Sequence, residues 1–113
     1  MKHVKLAKNR SSFKVLMESP SAQAARMVLK PGESMGEPDS EHPKCEQWLY
    51  VVSGQGRVLA GRKRHSITTG SLVVIEKREV HQVTATGEEP LVTLNIYVPP
   101  AYTKSGEPMR SAK

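Results

Sequence analysis

The chain has 113 residues, of which 37% are hydrophobic and 25% charged, and its formal net charge is +6. That length suits one domain with one modest core, and the composition excludes a disordered chain. The longest apolar run, Trp48 to Val52, is far too short to cross a membrane.

The N-terminus, MKHVKLAKNRSSF, is basic but lacks the continuous apolar stretch of a secretory signal. A single cysteine, Cys45, excludes an intrachain disulfide and implies a reducing, cytoplasmic setting. The positive charge invites a nucleic-acid reading, yet the basic residues are scattered. Lys2, Lys5, Lys8, Arg10 and Lys14 lie near one end, Arg62 to Arg64 in a turn, and Lys104, Arg110 and Lys113 near the other end. No aromatic residues interleave with them to stack on bases, so no nucleic-acid partner is expected.

In chain order, residues 1–23 read as an N-terminal arm or edge strand, 24–98 as a barrel, and 99–113 as a tail. Within the arm, Phe13 to Glu18 is a short strand ended by Ser19-Pro20-Ser21. Ala24 to Leu29 is a second strand, although Ala, Gln, Arg and Met make Ser21 to Leu29 equally compatible with a helix. From Gln47 onward the pattern is clearer. Gln47 to Val52, Arg57 to Ala60, Arg64 to Thr68, Leu72 to Ile75, Val80 to Thr86 and Leu91 to Val98 are short and rich in β-branched residues, and turn residues separate them. Many short strands at such spacing predict an all-β antiparallel sandwich or barrel. Pro99-Pro100 closes the last strand, since proline has no N–H to donate to a ladder.

The chemistry concentrates in GEPDSEHPKCEQWLYVVSGQG, residues 36–56, where a polar loop feeds an apolar strand. Asp39, Glu41, His42, Cys45, Glu46 and Gln47 are all polar or metal-capable. A second contribution comes from EVHQVTAT. At period two, Gln82, Thr84 and Thr86 form a polar phase that should face water, which turns His81 inward with Val83 and Ala85. An inward histidine is either a ligand or a core histidine satisfied by a neighbour. If Gln47 points inward with Leu49 and Val51, then His42, Gln47 and His81 can converge on one divalent ion. An amide adds no charge, so such a site is weaker than one with a carboxylate. Glu46 alternates with Gln47 and should face outward. No hydrolase signature surrounds Cys45, which reads as an inert thiol, and His3 and His65 read as surface residues.

These spacings resemble those of the cupin superfamily, in its small single-domain form. Gly36 and Gly54 bracket the first motif, His42 falls in its first histidine position and Gln47 in its glutamate position. Lys44 replaces the second histidine. Gly70 and His81 keep the spacing of the second motif, in which Glu76, Arg78 and Ala85 replace the usual proline, glycine and asparagine. The resemblance implies an antiparallel β-barrel, or jelly roll, of the cupin type. It further implies a divalent ion (Fe, Mn, Ni or Zn) held by His42, Gln47 and His81, a small-molecule ligand, and a homodimer paired through outer strands carrying Trp48 or Tyr50. A metal-free barrel, binding a sugar or small acid with Lys44 supplying charge, is the alternative. A barrel filled by its own side chains, serving regulation or structure, is a third. The reaction, if any, is not named by the fold.

Overall fold

A computed structural model describes residues 1–6, 12–36 and 45–102. Nine strands and no helix occur among them: β1 (Phe13–Glu18), β2 (Gln23–Leu29), β3 (Ser34–Met35), β4 (Glu46–Ser53), β5 (Gln55–Ala60), β6 (Lys63–Thr68), β7 (Leu72–Ile75), β8 (His81–Ala85) and β9 (Leu91–Val98). They form two antiparallel sheets, one of five strands in the order β1-β2-β9-β4-β7 and one of four in the order β3-β8-β5-β6. The expected all-β architecture is therefore the observed one. Stacking two sheets lets each bury one face against the other.

The core lies between the sheets. Met27, Leu29, Leu49, Val51, Ile75 and Leu91 contribute from the larger sheet, and Val58, Ile67, Val83 and Ala85 from the smaller. Leu49, Val51, Val83 and Ala85, the apolar residues expected inside, are buried, and Val73 packs against them half-buried. The segment with an equal claim to helix is a strand. β2 lies between β1 and β9, and its inward phase of Gln23, Ala25, Met27 and Leu29 is buried. Pairing on both sides overrides the local helix preference. Val80, the one apolar residue out of phase in its segment, precedes β8, and its carbonyl accepts a bond from the Gly61 amide.

Turn chemistry fixes the C-terminal end of β4. Gly54 has φ +95°, and a Cβ there would collide with the Pro90 carbonyl oxygen, so only glycine fits between β4 and the start of β9. Gln23 anchors the far end of β9. Its Nε2 donates to the Tyr102 carbonyl and to Glu18 Oε1, and its Oε1 accepts from the amides of Ala101 and Tyr102. Beside it, Tyr102 packs tilted against Phe13 and edge-on against Tyr97, with ring centroids 4.8 and 4.9 Å apart.

β9 inverts the usual pattern. Its polar phase of Thr93, Asn95 and Tyr97 is buried with Leu91, whereas Val92, Leu94 and Ile96 lie half-buried on the outer face and Val98 is exposed. A strand that spends its aliphatic residues outside and its amide inside is unlike an ordinary half-buried strand.

Candidate functional site

Two strands bring the expected residues to the same end of the fold. Gln47, the second residue of β4, pairs with Ile75, the last residue of β7. The turn after Ile75 leads directly to His81, the first residue of β8. Both side chains belong to inward phases and are buried, at 4% and 7% exposure. His42 lies outside the described residues, but both of its anchor points are described. Gly36 lies against the His81 backbone: with φ +86°, a Cβ on it would sit 2.9 Å from the His81 carbonyl oxygen, and its own carbonyl accepts from Gln82 Nε2 at 3.2 Å. The described residues that flank the segment are Gly36, against the His81 backbone, and Cys45, two positions before Gln47.

The electrostatics of the pair favour neutral, electron-donating groups. Burial pushes the His81 imidazole below its ordinary value of 6.5, opposed by a backbone bond and the charge of Glu79. His81 Nδ1 lies 3.3 Å from the Glu79 carbonyl oxygen. A carbonyl can only accept, so Nδ1 carries the proton and the lone pair of the neutral ring resides on Nε2. Gln47 Nε2 donates to Asn95 Oδ1 at 3.1 Å, and Asn95 Nδ2 donates to Thr93 Oγ1 at 3.0 Å. Gln47 Oε1 is buried without a hydrogen-bond partner among the described residues. An orphan carbonyl oxygen and a neutral imidazole are the donor types that a divalent ion of borderline hardness accepts, and they suit a ligand N–H or O–H equally well. In that sense the residues fit a metal.

Among the described residues, no three His, Cys, Asp or Glu side chains group closely enough to hold a metal. Any ion held by Gln47 and His81 therefore needs a further ligand from outside the described residues. Glu46 turns outward, as its phase requires, and accepts from Trp48 Nε1 at 2.8 Å. Cys45 is buried and donates to the Pro99 carbonyl at 3.2 Å, and desolvation raises its thiol against a lowering by Lys77. Burial and that hydrogen bond disfavour the thiolate, the form that attacks or ligates. His3 and His65 are exposed.

Asn95 and Thr93 were invisible as site residues in the sequence. An amide and a hydroxyl alternating with Val92, Leu94 and Ile96 read as a solvated face, and only the sheet order turns them inward. Two hollows flank the fold. One of about 590 Å³ lies at the opposite end from His81, among the turn residues Gly54, Thr68, Thr86 and Glu88. The other, about 540 Å³, lies between β6 and β7, the outermost strands of the two sheets among the described residues, and is lined by Val58, Ile67, Val73, His65, Glu76 and Glu79. Neither is lined by Gln47 or His81. We assign the site by the buried polar groups rather than by these surface hollows, because an unsatisfied buried acceptor is costly and demands a partner.

No match was found among curated proteins. Solved structures match widely in shape. A Bacillus halodurans protein, BH2720, superposes with a TM-score of 0.81 at 26% identity, covering 90% of this chain and 78% of its own. KdgF from a Halomonas species gives 0.70 at 23% identity, covering 78% and 77%. A predicted oxalate decarboxylase of Thermotoga maritima gives 0.70 at 24% identity, covering 78% and 79%. The Cupin domain family model matches residues 25–97, and with the two-sheet barrel just described this chain belongs to the cupin family.

Proposed function

We propose that this cupin receives a small polar molecule in its barrel, and that His42, Gln47 and His81 hold a divalent metal ion there. The observation that carries the reading is the buried Oε1 of Gln47, which lacks a partner among the described residues, with Gly36 and Cys45, the described residues flanking His42, lying against His81 and two positions before Gln47. When bound, the ion would supply a Lewis-acidic centre for an oxygen of the ligand. The chain's own residues orient that ligand and exclude water, since Gln47, Asn95, Thr93 and His81 are all buried.

The test is calorimetric titration of chelator-treated protein with Zn, Mn, Ni and Fe(II). Wild type should bind one ion. His42→Ala and His81→Ala should each abolish stoichiometric binding, because one imidazole and an amide make a poor site. Gln47→Glu should tighten it by placing a negative charge beside the cation, and His3→Ala and His65→Ala should change nothing. Should wild type bind none of the four, or His65→Ala lose as much as His81→Ala, the metal reading fails. The metal-free reading, in which these polar groups hydrogen-bond a sugar or small acid directly, then takes its place. The relay through Asn95 supports that second reading, because it gives Gln47 a fixed hydrogen-bonding direction without any ion.

A further inference from the structure

Three side chains on the inner face of the larger sheet form a directed series: Gln47 Nε2 to Asn95 Oδ1, then Asn95 Nδ2 to Thr93 Oγ1. Asn95 and Thr93 are fully buried. Each member of the series is amphoteric, an amide or a hydroxyl, so the series has two self-consistent directions. In one, Gln47 offers its carbonyl oxygen to the barrel. In the other, Thr93 donates to Asn95 Oδ1, Asn95 Nδ2 donates to Gln47 Oε1, and Gln47 offers its NH2 group.

The two directions suit ligands of opposite polarity. The first leaves one carbonyl oxygen seeking a partner; the second leaves N–H donors seeking one, and buried N–H groups tolerate that less well. Among the described residues Gln47 Oε1 is the atom without a partner, as the first direction requires.

We propose that Asn95 is a positioning residue. Through its bond to Gln47 it fixes that side chain carbonyl-first, and so makes the barrel a receptor for a cation or a hydrogen-bond donor rather than for an anion. The proposal rests on the reading of the barrel interior as the binding site. It extends that reading to residues that touch no ligand. Ionised Asp in place of Asn95 can only accept, from Gln47 Nε2 and from the Thr93 hydroxyl, and therefore locks the observed direction. Leu in its place cannot hold Gln47 either way.

Two readouts test this. In titrations with Zn or Mn, Asn95→Asp should bind at least as tightly as wild type, whereas Asn95→Leu should lose about 10- to 100-fold, the usual cost of removing the partner that orients a metal ligand. Hydrogen exchange of the Gln47 side-chain NH2, followed by NMR, needs no metal. It should be slow in wild type and Asn95→Asp and fast in Asn95→Leu. Urea midpoints of each variant, and Thr93→Val as a second break in the series, separate misfolding from loss of orientation. If wild type binds metal and a folded Asn95→Leu binds it equally well, the positioning role is overturned. If wild type binds no metal, the metal reading fails alone, and amide exchange decides the present proposal: equal rates in wild type and Asn95→Leu overturn it, and a difference upholds it.

Discussion

Val83 and Thr84 are neighbours on β8 with opposite fates, and together they test its register. Val83 is buried in the core, whereas Thr84 is half-buried on the outer phase and shares a 2.7 Å hydrogen bond with Ser34. Val83→Asp should cost several kcal/mol, as an unpaired buried carboxylate does, and Thr84→Asp much less. Equal losses in urea denaturation would contradict the register. His81 adds a pH dependence. Its imidazole is held below 6.5 by burial, so between that lowered value and 6.5 the unfolded chain binds more protons than the native one. Stability is then complete above about pH 6.5 and falls as pH drops through the lowered native value. Urea midpoints measured across this range should decline in wild type, and more gently in His81→Gln; parallel curves would remove His81 from the titration. Cys45 should react with iodoacetamide far more slowly in the native protein than in urea, because it is buried, hydrogen-bonded and protonated. Equal rates would contradict its placement.

At the level of strands, Gln23 joins β1, β2 and the segment after β9 through both ends of one amide. Gln23→Leu keeps the volume but strands the amides of Ala101 and Tyr102, which should cost roughly 2–4 kcal/mol and speed hydrogen exchange at those two positions first. Unchanged exchange there would show that the clamp is idle. Strands with a clean two-residue alternation were legible in the sequence. β4 and β8 declared their inward phases, because Leu49 and Val51, or Val83 and Ala85, alternate with residues of different polarity or larger aromatic surface. β2 was ambiguous because its composition satisfies a helix, and only its neighbours β1 and β9 decide between them. β3 is two residues long and carries no pattern at all. β9 was legible as a strand but not in its facing, since a polar phase opposite an aliphatic one normally means water opposite core. The histidine and amide of the site could be read from motif spacing, whereas the groups that aim the amide could not, because they come from a strand nearly fifty positions later.

For the whole molecule, that inversion leaves an apolar outer face on the larger sheet. Trp48 and Tyr50 on β4 stand beside Val74 and Leu72 on β7, and beside Ile96 and Leu94 on β9. Leu72 is 62% exposed, and Trp48, Tyr50 and Val74 are each exposed by about two-fifths. The Trp48 N–H is already occupied by Glu46, so what this face offers a partner is chiefly apolar contact. It is expected to cover itself with a second copy of the chain, since a two-fold pairing sets the same patch against itself. Sedimentation equilibrium should report a dimer, and Leu72→Glu or Trp48→Glu should give a folded monomer; a wild type that stays monomeric at high concentration would refute the pairing.

The place of β9 in the five-stranded sheet also governs the order of assembly. It lies between β2 and β4, and its partners in β2 are between 62 and 74 positions away along the chain, from Leu29 with Leu91 to Gln23 with Tyr97. Until β9 docks, β2 lacks its inner neighbour and β4 keeps one unpaired edge. Closing loops of that length before any contact rewards them makes folding slow, in the range of milliseconds to seconds typical of such topologies. During that interval the edges of β2 and β4 are open templates, flanked by the exposed Trp48 and Tyr50. Refolding yield should therefore fall with protein concentration. A peptide of residues 91–98 added in trans should raise that yield by capping β2 and β4 before they find each other in neighbouring chains.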